Sequence, residues 1–217
     1  MTAKAAQALR FAALALLAVG WMLAAHLGST GNGPPDLNVG LALLPILAAL
    51  GALVFRLLSL PLAGLLGLAL LAGILLLWPL LRDKIALLYL LQHVGINLML
   101  ASLFGRSLLG PGEALITQLA RRVFVQGISP RKARYTRAVT VAWTIFFLAN
   151  ASVSLLLYLL APATLWSTYA NLGNPVLIAV MFLCEHLWRR RVLPPEERPR
   201  IADVVRAWRH HHAPPAA

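Results

Sequence analysis

Apolar runs separated by short polar breaks fill almost the whole chain, and each run has the length of a membrane crossing. The first covers residues 9–27, and STGNGPPDL at 29–37 then has the composition of a loop. The next block, 38–81, is too long for one helix across a core of about 30 Å at about 1.5 Å per residue. Phe55-Arg56 divides it, and Pro61 suits the first turn of a new helix, which gives spans at 38–55 and 58–81. Arg82-Asp83-Lys84 makes a tight turn into a fourth span at 85–104. A fifth follows at 138–160, then an uncharged connection at 161–174 with Trp166 and Tyr169 at interface depth, then a sixth span at 174–188. The pattern predicts an all-α, polytopic helical membrane protein of about six transmembrane helices. Residues 1–191 form one transmembrane domain and 192–217 a basic tail. Lys4 and Arg10 at the head of the first run resemble a secretory signal, but the run is too long for a typical signal core and no persuasive small-x-small site closes it, so an uncleaved span is expected.

The exception to the apolar pattern is 105–137. It carries Arg106, Arg121, Arg122, Arg131, Lys132, Arg134 and Arg137 against one acid, Glu113. Each cation in hydrocarbon costs about 2.5–3.5 kcal/mol even on the lenient insertion scale, so this stretch belongs in water or at the headgroups. Within it, 111–125 reads as an amphipathic helix on the membrane surface, with Leu115, Ile116, Leu119 and Val123 on one face. Ser129-Pro130 reads as the cap and first position of the next helix. The cations in that helix's opening turns have the wrong sign for its dipole, which a bound anion would relieve.

Charge then orients the spans. With both termini inside, two basic residues precede the first span, one is Arg56, seven lie in the central loop and seven follow the sixth span: seventeen, against two outside. The positive-inside rule makes the seventeen-residue side cytoplasmic. Composition agrees: the chain is 60% hydrophobic and 12% charged, with a mean hydropathy of +0.78, too apolar to cover a soluble globule of 217 residues. A net charge of +12 would suggest nucleic acid in a soluble protein; beside apolar spans it reads as topology signals and anchors for anionic phospholipid, with no nucleic-acid partner. Cys184 is the lone cysteine, which excludes an internal disulfide and multi-cysteine metal sites.

Gln92, His93 and Asn97 are the candidate intramembrane polar site. Tyr89, His93 and Asn97 recur every four residues, so they share a helical stripe that should face the protein interior. A histidine there either serves a proton or polar-ligand function or fixes packing. Glu185 is placed to pair with Arg189 at i, i+4, His186 beside it carries no assigned role, and His26 reads as an interfacial histidine. The cations Arg106, Arg121, Arg122, Arg131, Lys132, Arg134 and Arg137 are the candidate site for headgroups, other anions or a carrier protein. No phosphate loop, metal motif, nucleophile elbow or carboxylate pair occurs, so neither metal nor cofactor is expected and catalysis has no positive support.

LLQHVGINLMLASLFGRSL, GEALITQLARRV, ARYTRAVTVAWTIFF and NPVLIAVMFLCEHLWRRR resemble a family of uncharacterised bacterial inner-membrane proteins, a resemblance that extends over roughly residues 85–191. That family is associated with gene clusters for aryl polyene and xanthomonadin-type pigments. The resemblance implies a non-catalytic accessory to a polyketide- or fatty-acid-like pathway, in contact with an acyl carrier protein or pathway enzymes. It carries over no site residues. The alternatives are a transporter of a lipophilic product and an intramembrane acyl-transfer enzyme using His93.

Overall fold

The computed structural model describes residues 3–124 and 127–198, and every regular element among them is helical. In order these are α1 (Ala3–Ser29), α2 (Pro35–Leu57), α3 (Leu60–Asp83), α4 (Ile85–Leu109), α5 (Leu115–Val123), α6 (Pro130–Leu160) and α7 (Ala163–Val192), with a 3-10 turn at Pro195–Glu197. All but α5 are long and apolar enough to cross a membrane. The chain is a polytopic helical membrane protein with six candidate spans. Leu68 and Leu76 on α3 are largely exposed, as side chains solvated by hydrocarbon are.

The helices group into two units. In the first, residues 3–95 and 153–175, the core is Ala25, Ala42, Tyr89, Leu90, Trp166 and Ala170. Trp166 is wholly buried and its indole N–H donates to Ser154 Oγ at 3.0 Å. In the second, residues 96–124, 127–152 and 176–198, Trp143 stacks among Phe146, Phe147 and Phe182 beside Ala101, Tyr135, Val139 and Leu193.

Several expected boundaries move, each for a physical reason. The connection expected at 161–174 shrinks to Ala161 and Pro162, because α7 begins at Ala163. Asn174-Pro175 looked like a helix start since Pro175 has no N–H to offer the preceding turn. Here that turn is a π turn, Thr168–Gly173, whose bonds reach five residues back, and the helix runs on through the proline. Trp166 on the new helical turn is wholly buried in the protein.

The surface helix expected from residue 111 begins at Leu115, since Pro111 and Gly112 stay non-helical. Ala114 and Thr117 face the protein, where Thr117 Oγ1 shares a hydrogen bond with Thr136 Oγ1 at 2.8 Å, while Leu119 is 44% exposed. A polar pair therefore fixes the protein-facing side of α5.

At the start of α6 the reading of the sequence holds. Ser129 Oγ accepts the Lys132 backbone N–H at 3.1 Å, the geometry of a serine N-cap, with Pro130 at the first position. Pro61 likewise falls in the first turn of α3. Arg82, one of two cations expected outside, approaches Asp36 Oδ1 at 3.3 Å, and Trp78 Nε1 donates to the same oxygen at 2.7 Å. One carboxylate at the start of α2 thus ties down the end of α3.

Gly64, Gly67 and Gly73 on α3 have open space where a Cβ would be. The close approach is at Gly28 instead. A Cβ there would lie 2.9 Å from Tyr89 Oη and 3.1 Å from Asn38 Oδ1. Gly28→Ala is therefore expected to lower the thermal unfolding temperature in detergent, while Gly67→Ala leaves it within about a degree or raises it. Equal behaviour of the two variants in a thermal-shift assay would show that the contact at Gly28 carries no weight.

Candidate functional site

Two polar constellations stand out, one in each unit. The first is built where α4, α5, α6 and α7 of the second unit bring their charged ends together. Glu113, just before α5, takes Arg121 in a forked contact, Nε to Oε2 at 2.5 Å and Nη2 to Oε1 at 2.6 Å. The Arg121 hydrogen bonds hold the Glu113 carboxyl below the usual glutamate value. On α7, Glu185 binds Arg189 through both carboxylate oxygens and also accepts from the Tyr135 hydroxyl of α6. The i, i+4 pair was legible in the sequence; Tyr135 was not, because it comes from another helix 50 residues away.

Lys132 departs furthest from expectation. Only 4% exposed, it packs with Nζ 2.8 Å from the centroid of the Phe124 ring and donates to the Glu197 carbonyl at 2.7 Å. Glu197 Oε2 also accepts from Ser129 Oγ at 3.0 Å. The chain's own 3-10 turn thus answers Lys132 and Ser129 and leaves the arginines of the α6 start without a carboxylate among the described residues, and Lys132 is withdrawn from the surface. Arg137 makes one long contact, Nη2 to the Leu108 carbonyl at 3.4 Å. Arg106, Arg122, Arg131, Arg134 and Arg137 are all exposed, as are Arg190 and Arg191 on α7.

The amide ends of α5 are answered in the same unit. The Leu115 N–H donates to Ser107 Oγ at 2.9 Å and the Ile116 N–H to Thr140 Oγ1 at 3.3 Å. Hydroxyls from α4 and α6 replace the N-cap side chain that Ala114 cannot provide.

The second constellation, in the first unit, was missed by sequence reading. His26 Nδ1 shares a hydrogen bond with Ser167 Oγ at 2.7 Å, Ser29 Oγ lies 2.6 Å from the same oxygen, and Asn171 Nδ2 donates to both serines at 3.2 Å. Ser167 is fully buried and Ser29 nearly so. A serine next to a histidine has the makings of a nucleophile and base, but this oxygen is spent on three side chains. The cluster ties the end of α1 to the π turn of α7. The signal available in the sequence was the spacing Ser167 and Asn171, one helical turn apart and uncharged, within a stretch read as a loop.

Of the candidate intramembrane residues, Gln92 donates Nε2–H to the Ala42 carbonyl of α2, and Tyr89 on the same stripe donates to the Asn38 carbonyl at 3.4 Å. The His93 ring meets Tyr169 of the π turn edge-on, centroids 6.2 Å apart. Gln92 and His93 thus belong to the first unit. Asn97 is buried within the second. Cys184 is exposed, and no group of three His, Cys, Asp or Glu side chains suited to a metal forms among the described residues. The tail segment 201–208 and the histidines 210–212 lie outside the described residues.

No protein-family model, curated protein or solved structure matches this chain.

The Glu113 carboxyl titrates lower in the folded chain, so its contact with Arg121 stabilises α5 above the ordinary glutamate pKa and is lost as pH falls through the lowered folded value. Hydrogen exchange across Leu115–Val123 should therefore quicken, relative to the intrinsic rate, as pH falls from neutral to below the ordinary glutamate range. Glu113→Gln should exchange faster at neutral pH and lose most of that dependence. A variant with the wild-type profile would assign the effect to another group.

Proposed function

We propose that this chain is a non-catalytic accessory of a bacterial inner-membrane pathway that builds a polyketide- or fatty-acid-like product of the aryl polyene type, and that its basic end receives an acidic acyl carrier protein. The observation that carries the reading is the division of the cations. Arg121 and Arg189 are satisfied by Glu113 and Glu185, and Lys132 by the Glu197 carbonyl, whereas Arg106, Arg122, Arg131, Arg134, Arg137, Arg190 and Arg191 are exposed and pair with no carboxylate among the described residues. Internal structure uses one set of charges and leaves the other free to attract anions. The resemblance of residues 85–191 to the pigment-cluster family supports the pathway. Arg122 on α5 and Arg190 and Arg191 at the end of α7 are the cations assigned to the carrier, because they sit on the short helix and at the chain's exit from the last span.

The same reading makes both termini and the central loop cytoplasmic, on the strength of the seventeen-to-two charge asymmetry. Reporter fusions after Asn32, Gly127 and Ala217 are expected to score periplasmic, cytoplasmic and cytoplasmic. A periplasmic score at Gly127 refutes the orientation.

Carrier docking steered by charge weakens as salt shortens the Debye length from about 10 Å at 0.1 M to about 3 Å at 1 M. Full-length protein in nanodiscs of zwitterionic lipid should bind a holo acyl carrier protein at low salt and lose it at 1 M. Arg122→Glu with Arg190→Glu and Arg191→Glu should weaken that binding at least tenfold with the protein still monodisperse. Absence of salt-sensitive binding by the wild type disposes of the docking assignment.

A further inference from the structure

The first two turns of α6 carry three arginines at intervals of three, Arg131, Arg134 and Arg137, all exposed. At about 100° per residue they lie opposite the packed face of the same helix, formed by Lys132, Tyr135, Thr136, Val139, Thr140 and Trp143. Continuing along the arginine side at steps of three and four gives Val141, Ile145 and Leu148, which are 39%, 61% and 46% exposed. One uninterrupted side of α6 is therefore cationic for two turns and then apolar.

We infer that this side of α6 is a binding site for an anionic phospholipid, its phosphate held by Arg131, Arg134 and Arg137 and an acyl chain lying along Val141, Ile145 and Leu148. The dimensions agree. The arginines span about 9 Å, close to the depth of one interfacial zone, and Arg137 to Leu148 spans about 16 Å, the hydrocarbon thickness of one leaflet. Guanidinium groups match phosphate oxygens through forked hydrogen bonds, and among the described residues no carboxylate of this chain pairs with any of the three. Arg137 has one competing contact, the long one to the Leu108 carbonyl. A soluble acidic protein is a poorer fit, because the side that holds these arginines becomes lipid-facing within one turn. The inference does not depend on carrier docking, which is assigned to Arg122, Arg190 and Arg191.

The test uses the full chain in mild detergent, titrated with phosphatidylglycerol or with phosphatidylcholine of the same acyl chains, and reads lipid retained by native mass spectrometry. Wild type should retain phosphatidylglycerol preferentially. Arg131→Gln with Arg134→Gln and Arg137→Gln should lower that retention by at least about tenfold, at roughly fivefold per arginine near an anionic surface. Arg122→Gln with Arg190→Gln and Arg191→Gln should retain it. If the first triple variant does not fold, Arg134→Glu alone is read in the same assay and should lose the preference. The inference is overturned if the α6 variants keep the wild-type preference, if both triple variants lose it equally, or if the wild type shows no preference between the two lipids. Inorganic phosphate at millimolar concentration should not displace the lipid; displacement would point to a free-anion site and overturn the assignment to a phospholipid.

Discussion

Hydrocarbon offers no hydrogen bonds, so every polar group that a span carries into the membrane must be answered by the protein itself. That constraint explains the polar contacts made within the spans. Thr140 and Thr144 return their hydroxyls to carbonyls four residues back, Trp166 finds Ser154, and Gln92 finds a carbonyl of α2. The apolar faces are interchangeable by comparison: leucine against lipid is as comfortable as leucine against leucine. Pairwise polar matches therefore decide which helix faces meet, and Ser29, Ser167 and Asn171 set the docking of α1 on the start of α7.

The spans were legible because crossing a fixed thickness imposes a length and a composition that need no partner to interpret. The cap at Ser129 and the pair Glu185–Arg189 were legible for a similar reason, being local: three or four residues of known geometry suffice. What resisted reading was whatever depended on a residue far away in sequence. His26 looked idle because its partner lies 141 residues on, and Lys132 looked like one more surface cation because Phe124 and the Glu197 carbonyl that enclose it come from outside its helix. The π turn was hidden by Pro175, whose usual meaning as a boundary fails when the hydrogen bonding before it has already shifted register.

The charges follow the same division between what the fold consumes and what it leaves. Burying Lys132 removes a freely hydrated ammonium, and the Glu197 carbonyl and Phe124 ring offset that loss by direct contact. The 3-10 turn at Pro195–Glu197 is thereby held against the start of α6, and Arg198 fastens its far side by donating to the Leu193 and Arg190 carbonyls. The segment leaving the last span is thus stitched to the second unit before the described residues end.

The two hydroxyls that hold the first amides of α5 have an implication for biogenesis. A nine-residue helix is too short to persist alone in water. Its supports come from both directions along the chain: Ser107 is synthesised before it, but Thr136 and Thr140 only after it. While ribosomes are still producing α6, the intervening segment has only one of these three hydroxyls to fold against. It settles once the fifth crossing is in place, so an ordered α5 reports that the helices on both sides of it have been inserted and assembled.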